Sequence, residues 1–103
     1  MKAVQKTPAL PIPGKLDGGI RRAVELLQGE GVETFESCEG GRGHAYPEPT
    51  IRFHGTPEAG WHALAVCVAH RLPIASLGRI WVVLDGNEPT GPYWEIRFSE
   101  CVY

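Results

Sequence analysis

The segment Thr50-Ile51-Arg52-Phe53-His54-Gly55-Thr56-Pro57-Glu58 combines a strand signal with a helix start. Apolar Ile51 and Phe53 alternate with polar neighbours, which is typical of a strand with one buried face. The threonine that follows, with proline and glutamate behind it, is a favourable helix N-cap. The segment therefore predicts a strand over residues 50–54 that leads directly into a helix over residues 57–72.

A second helix and strand precede this segment. The helix is predicted over residues 17–28, with Asp17 as its N-cap and glycines just beyond its end. Its apolar residues recur at helical spacing, and they are Ile20, Ala23, Val24 and Leu27. Residues 32–37 have the composition of a strand, and we expect Phe35 to point into the core.

Two further strands follow the second helix, over residues 79–84 and 93–99, with a loop over residues 85–92 between them. The resulting order is α-β-β-α-β-β. The two halves share a short motif, Ile51-Arg52-Phe53 and Ile96-Arg97-Phe98. We expect an α+β two-layer sandwich, in which both helices cover one face of a four-stranded, mainly antiparallel sheet.

The bulk composition is that of one globular domain. The chain has 103 residues, of which 43% are apolar and 21% charged, and we assign residues 17–103 to the domain and residues 1–16 to an extended, proline-punctuated arm. Three cysteines do not match a secreted disulfide scaffold, and no signal segment or membrane span is recognisable. A net charge of −2 argues against bulk binding of nucleic acid. These features predict a cytoplasmic protein.

Alternation along the strands divides the sheet residues into two sets. The set expected to face the core is Ile51, Phe53, Ile80, Val82, Leu84, Trp94, Ile96 and Phe98. The set expected to face outward is Thr34, Glu36, Arg52, His54, Trp81, Val83, Glu95 and Arg97. The outward set is either a solvated face with cross-strand ion pairs or a binding platform. In the second case Trp81 would stack on a flat ligand while Arg52 and Arg97 bind its anionic groups.

The helix over residues 57–72 is apolar on both sides. The side expected to face the core carries Trp61, Leu64, Ala65, Val68 and Leu72. The opposite side carries Ala63, Val66, Cys67 and His70. Because a helix that is apolar all round is usually covered twice, we expect the second side to form a symmetric homodimer.

The loop after the strand over residues 32–37 concentrates reactive groups in Glu36-Ser37-Cys38-Glu39-Gly40-Gly41-Arg42-Gly43-His44. Cys38 and His44 could form a nucleophile–base pair, with Glu39 or Glu48 orienting the imidazole. The alternative is a small buried thiol at the end of a strand. Gly40, Gly41 and Gly43 could turn their amides toward an anion held by Arg42, or they could simply permit positive φ.

A metal site is not predicted. The candidate ligands would be Cys38, His44, His54, Cys67 and His70. Structural zinc sites normally contain closely spaced cysteine or histidine pairs, and this chain has no Cys-x-x-Cys or His-Glu-x-x-His motif. The sequence does not indicate a particular cofactor.

The string from Gly31 to Gly41, Gly-Val-Glu-Thr-Phe-Glu-Ser-Cys-Glu-Gly-Gly, resembles a motif of small bacterial and phage proteins. In those proteins Gly-hydrophobic-x-Thr leads to Ser-Cys-Glu/Gln-Gly-His. Here Gly41 replaces the histidine, and His44 follows three residues later. The resemblance implies a fold and the location of a site.

A more distant similarity is to the wybutosine-synthesis tRNA methyltransferase family, which has a Ser-Ser-Cys-Ser-Gly-Arg motif between a strand and a proline-led strand. Ser37, Cys38, Gly40 and Arg42 match that motif, and Glu48-Pro49-Thr50-Ile51 resembles the strand that follows. The first serine is absent, and the similarity covers about residues 20–72. It implies tRNA modification that depends on S-adenosylmethionine.

Together these patterns favour a non-enzymatic binding module for a small anionic ligand, a nucleotide or a partner protein. The expected binding residues are Glu36, Gly40, Gly41, Arg42, Gly43, His44, Arg52, His54, Trp81, Glu95 and Arg97. The alternative is a small enzyme in which Cys38 or Glu39 works with His44 on a nucleotide or nucleic acid.

Overall fold

The computed structural model describes residues 18–103 as two helices and four strands. In chain order the elements are α1 (Gly18–Gly29), β1 (Glu33–Cys38), β2 (Thr50–His54), α2 (Pro57–Ala69), β3 (Ile74–Leu84) and β4 (Glu88–Phe98). The strands form one antiparallel sheet in the order β1-β2-β4-β3. The predicted α+β class and order of elements are confirmed. The predicted arm, residues 1–16, lies outside the described residues.

Helix α2 begins as its sequence predicts. The side chain of Thr56 accepts a hydrogen bond from the Ala59 amide at 3.4 Å, and Pro57 occupies the first turn. The Thr56 carbonyl also accepts a bond from the Trp94 indole at 2.9 Å, which ties the helix start to β4. The helix ends at Ala69, before the predicted residue 72, because Arg71 adopts a left-handed φ of 56°.

The core lies between the sheet and the two helices. Helix α1 buries one apolar side, and β2 and β4, the two central strands, supply the largest fully buried side chains. These residues are Ile20, Ala23, Val24 and Leu27 from α1, Ile51 and Phe53 from β2, and Ile96 and Phe98 from β4. Full burial of each Val, Leu, Ile or Phe side chain contributes about 1.5–3 kcal/mol, so the central strands stabilise the packing of the helices on the sheet.

The predicted faces of α2 are reversed in the structure. Gly60, Ala63, Val66 and Cys67 are buried, whereas Trp61 and Val68 are exposed. A Cβ on Gly60 would lie 2.4 Å from Trp94 Cζ2, so the helix approaches the sheet more closely than a larger residue permits. The prediction that Trp61, Ala65 and Val68 face the core is therefore wrong.

The predicted dimer face is also wrong, because Ala63, Val66 and Cys67 belong to the core of the chain itself. Its fourth member, His70, is exposed just after the helix. Of the residues predicted to face the core, Leu72 is buried and Leu64 is half-buried. A homodimer through this side of α2 would require the domain to open.

Strand β1 differs from the prediction because its pairing with β2 is irregular. The register shifts between Thr34 and Glu36, which changes the side on which the intervening residue lies. Thr34, expected outside, is buried and accepts a hydrogen bond from Gln28 Nε2 at 2.8 Å. Phe35, expected inside, is 36% exposed on the sheet face without helices, which we call the open face.

Strands β3 and β4 are longer than predicted and form a hairpin closed at Asp85-Gly86-Asn87, where the predicted loop extended to residue 92. Register places Leu77 beside Ile96 in the core and Ile80 beside Tyr93 on the open face. By strand alternation Ile80 and Val82 belong to the open face, and Trp81 and Val83 belong to the helix side. The predicted directions of these four residues are wrong, and Leu84, expected in the core, is exposed.

Candidate functional site

Residues 39–49 connect β1 to β2 and form the loop that the sequence singles out. Gly40, Gly41 and Gly43 have φ values of +82°, +105° and +83°, which glycine adopts without strain. A Cβ on Gly40 would lie 2.3 Å from the carbonyl carbon of Glu48. The loop therefore folds back on itself at Gly40, and only glycine fits that position.

Two of the amides expected to hold an anion have acceptors inside the protein. The Gly40 amide donates to Cys38 Sγ at 3.4 Å, and the Gly41 amide donates to the Pro47 carbonyl at 3.0 Å. Arg42 and Gly43 lie exposed at the tip of the loop. The glycines thus serve first to shape the loop.

Cys38 is enclosed at the end of β1. It is 6% exposed, and it lies opposite Thr50 of β2. Its neighbour Glu39, rather than the thiol, pairs with His44: Glu39 Oε2 lies 3.5 Å from His44 Nε2. This arrangement fits the alternative of a buried thiol at the end of a strand.

Glu39 also joins the loop to the start of α1. Its Oε1 accepts a hydrogen bond from the Gly19 amide at 2.8 Å. A carboxylate is favourable there because the first amides of a helix are unsatisfied and carry partial positive charge. Glu39 therefore fixes the position of the helix relative to the loop.

A second thiol, Cys101, donates to the backbone carbonyl of Glu39 and was not identified from the sequence. The Cys101 Sγ is 3.7 Å from the Glu39 carbonyl oxygen. A hydrogen bond between Cys101 and Tyr103 raises the pKa of the Tyr103 phenol. The Val102 amide donates to the Gly19 carbonyl at 2.7 Å, which brings the end of the described chain to α1. Glu39 thus connects Cys101, through its backbone carbonyl, with His44, through its carboxylate, in one polar cluster.

The open face carries a ladder of ion pairs across the strands. Arg52 bonds to Glu95 at 3.0 Å and to Glu36 at 3.4 Å. Arg97 bonds to Glu95 at 3.1 Å and to Glu48 at 3.3 Å. Each guanidinium thus meets two carboxylates, and Glu95, which was expected to face outward, is 8% exposed between them.

Tyr46 brings the loop onto this ladder. The guanidinium carbon of Arg52 lies 5.1 Å from the centre of the Tyr46 ring. Burial, together with a hydrogen bond to the Glu36 carboxylate, raises the pKa of Tyr46 to about 12. Tyr46 was not identified from the sequence, because its contact with Arg52 depends on the fold of the loop.

An aromatic cluster lies next to the ladder on the open face. The rings of Phe35 and His54 stack with centroids 4.4 Å apart, and Tyr93 lies 4.9 Å from Phe35 and 5.5 Å from His54. His54 was predicted as a binding residue, whereas Phe35 and Tyr93 were not. The open face therefore combines aromatic rings with paired charges.

The structure brings together most, but not all, of the predicted binding residues. Glu36, Arg52, His54, Glu95 and Arg97 share the open face, and the loop residues adjoin it. The predicted platform residue Trp81 does not join them, because alternation along β3 places it on the helix side. Within residues 18–103 no group of three or more His, Cys, Asp or Glu side chains is arranged to hold a metal ion.

No protein-family model, curated protein or solved structure matches the chain. In the described part of the chain, neither helix has the length and apolar character needed to cross a membrane. We therefore infer function from the geometry of the site.

Proposed function

We propose that the protein is a binding module that contacts a partner protein through its open face. The observation that supports this proposal most strongly is the Phe35–His54–Tyr93 cluster beside the Arg52 and Arg97 ladder, on a sheet face that no helix of residues 18–103 covers. Aromatic and arginine side chains are enriched in protein interfaces. The β1–β2 loop, with Tyr46, would form the rim of the surface.

The charges on the face favour a protein over a small anion or nucleotide. The two guanidinium groups of the ladder are matched by three carboxylates, those of Glu36, Glu48 and Glu95. A phosphate that binds the guanidinium groups would have to displace the carboxylates from them. The phosphate would then still lie close to those carboxylates, and the repulsion between the negative charges costs electrostatic free energy. A partner that brings its own mixed charges can instead form a polar rim around the aromatic cluster.

A matched pair of charge reversals tests the proposal. Glu36→Lys changes the open face, whereas Glu25→Lys makes the same change on exposed α1. Each variant is tagged and used to capture proteins from the native lysate. We expect wild type and Glu25→Lys to capture the same protein in similar amounts, and Glu36→Lys to capture at least about tenfold less of it. Binding of the purified partner by calorimetry should show the same order. Equal capture by all three proteins, or none above the tag alone, would reject the proposal.

A second candidate function, thiol-dependent catalysis, is supported by the Cys101–Glu39–His44 cluster. Its nucleophile would be Cys101 in place of the enclosed Cys38. Alkylation of native protein over a pH series, followed by mass spectrometry of each cysteine, tests it. Reaction of Cys101 well below about pH 8 would support a stabilised thiolate. Reaction only at the pH of an ordinary thiol would leave the cluster with a structural role.

We also place the protein in a reducing, cytoplasmic compartment. All three thiols, Cys38, Cys67 and Cys101, are free. Structural disulfides are typical of oxidising compartments and rare in the cytosol.

A further inference from the structure

Strand β3 lies at the edge of the sheet and has an unpaired side. It is 11 residues long, and β4 is its only neighbour among residues 18–103. The carbonyl of Val82 accepts a hydrogen bond from the Thr90 hydroxyl of β4, so from Ser76 onward the even-numbered residues direct their backbone groups into the sheet. By alternation, Leu77, Arg79, Trp81 and Val83 direct their backbone groups outward. Such an edge is a template for another strand.

The two edges of the sheet differ in how they are protected. The opposite edge, β1, has six residues, two glutamates and a register shift. Strand β3 is nearly twice as long, contains no lysine or proline, and has one charged residue, Arg79. Short length, charge and irregularity are the usual means of blocking edge pairing. Only β1 uses them.

An apolar groove runs along the helix side of β3. It has a volume of about 380 Å³ and is lined by Trp61 and Leu64 of α2, residues 74–77 of β3, and Trp94 of β4. Trp61 is 66% exposed, and Trp81 and Val83 are 60% and 61% exposed farther along β3. The free edge and the exposed apolar side chains therefore form one surface, which we call the β3 surface.

We propose that the β3 surface binds a second copy of this chain by antiparallel pairing of β3 with β3. The product would be a continuous sheet of eight strands, four from each copy. This interface is separate from the open face used in the proposed function.

The charge and register of β3 favour a second copy over other occupants. In a two-fold symmetric dimer, a charged residue close to the axis lies near the same residue of the second copy and is repelled by it. Strand β3 contains only one charged residue, Arg79, so a register that keeps Arg79 away from the axis avoids this repulsion. With the axis beside Ile80, Arg79 lies opposite Trp81 of the second copy, and Leu77 lies opposite Val83. The guanidinium carbon of Arg79 already lies 4.8 Å from the centre of the Trp94 ring of its own chain, and Trp81 of the second copy would add a further aromatic contact. An axis beside Arg79 itself would instead place two like charges together.

The exposed area is sufficient for a dimer. A tryptophan can bury about 150–250 Å², and the β3 surface has two that are mostly exposed, together with the strand edge and Val83. These groups supply roughly 600 Å² per chain, close to the approximately 800 Å² of a standard interface. The groove beside Trp61 would receive apolar side chains of the second copy.

Sedimentation equilibrium of the full chain at about 100 µM tests the proposal. We expect wild type to be a dimer and Val83→Lys to be mainly a monomer, because a lysine on the edge opposes pairing. The matched control is Ala45→Lys, which adds the same charge on the exposed β1–β2 loop and should remain a dimer. Far-ultraviolet circular dichroism should show that all three are equally folded.

Two results would overturn the proposal. The first is a monomeric wild type at this concentration, which would leave the edge to another occupant such as residues 1–17 or a different protein. The second is a dimer that persists equally in Val83→Lys and in Trp61→Ala, which would place the interface elsewhere. Trp61 is exposed, so its substitution does not remove a core side chain.

Discussion

Gly40 and Gly43 share a backbone conformation but have different surroundings. Their φ values are +82° and +83°, yet a Cβ would meet the Glu48 carbonyl carbon at 2.3 Å in the first case and nothing within 4 Å in the second. We expect Gly43→Ala to lower the free energy of unfolding by about 1–2 kcal/mol through left-handed strain alone. Gly40→Ala should cost at least about 2 kcal/mol more, because the loop must also move.

Urea denaturation of both variants measures the difference. Equal losses would mean that the loop relaxes around a methyl group at Gly40, and its tight fold would then not be required. A larger loss at Gly43 would contradict the packing argument directly.

The candidate site was only partly predictable from individual residues. Glu39 and His44 were expected to cooperate because they lie in one short loop, and they do meet. Cys101 was not expected, because it is 62 residues from Glu39 and approaches it only through the packing of the chain end on α1. Spacing within the loop thus predicted the Glu39–His44 contact but not which of Cys38 and Glu39 would meet His44, and the contact with Cys101 depends on tertiary structure.

Helix α2 shows how periodicity can fail to choose a face. Because nearly every position is apolar, hydrophobic spacing gives no preference, and we assigned the larger residues to the core. The structure buries the small ones instead, at Gly60, Ala63 and Cys67. Their spacing of three and four residues was the available signal, since small residues let a helix approach a sheet closely.

Substitution of Gly60 therefore tests how closely α2 packs on the sheet. In a free helix, alanine is favoured over glycine by about 0.5–1 kcal/mol. Here a Cβ would lie 2.4 Å from the Trp94 ring, so we expect Gly60→Ala to reduce the free energy of unfolding by about 1–3 kcal/mol. Thermal or urea unfolding measures the change.

The control is Gly29→Ala at the end of α1, where a Cβ would meet nothing within 4 Å. This variant should be neutral or slightly more stable than wild type. If Gly60→Ala also stabilises the protein, α2 does not pack on Trp94 as described.

The stability of the entire domain should fall in alkaline solution. Burial raises the pKa of Cys67 from 9.0 to about 11, and burial with the Glu36 hydrogen bond raises that of Tyr46 from 10.0 to about 12. Both groups hold their protons more tightly in the folded state. Their contribution is therefore complete below the unfolded pKa values, and it is lost as pH rises through the folded values.

The urea concentration at the midpoint of unfolding should therefore decline from pH 8 to pH 12 for wild type. Above pH 10 the decline should be less steep for Tyr46→Phe, because this variant has no phenol at that position to ionise. Other groups that titrate in this range are shared by both proteins. Identical curves would show that Tyr46 ionises equally easily in the folded and unfolded chains.

At the level of the whole molecule, the α+β class and the order of elements followed from the sequence, because each helix start and strand pattern is local. The register of the edge strands β1 and β3 could not be predicted from the sequence. Phe35 and Thr34 lie on the sides opposite to those predicted at a register shift in β1, and Ile80 and Trp81 do so where the register of β3 with β4 also shifts. Such shifts depend on pairing between strands and leave no periodic mark on either one.

The strand order β1-β2-β4-β3 has a consequence for synthesis. Of the four described strands, β4 leaves the ribosome after the other three, yet it lies between two of them. Until it emerges, β2 and β3 have no common neighbour, and the buried Ile96 and Phe98 are missing from the layer beneath the helices. A nascent chain that stops before residue 88 should therefore remain sensitive to protease along its whole length, and protection should arise in one step once β4 is free.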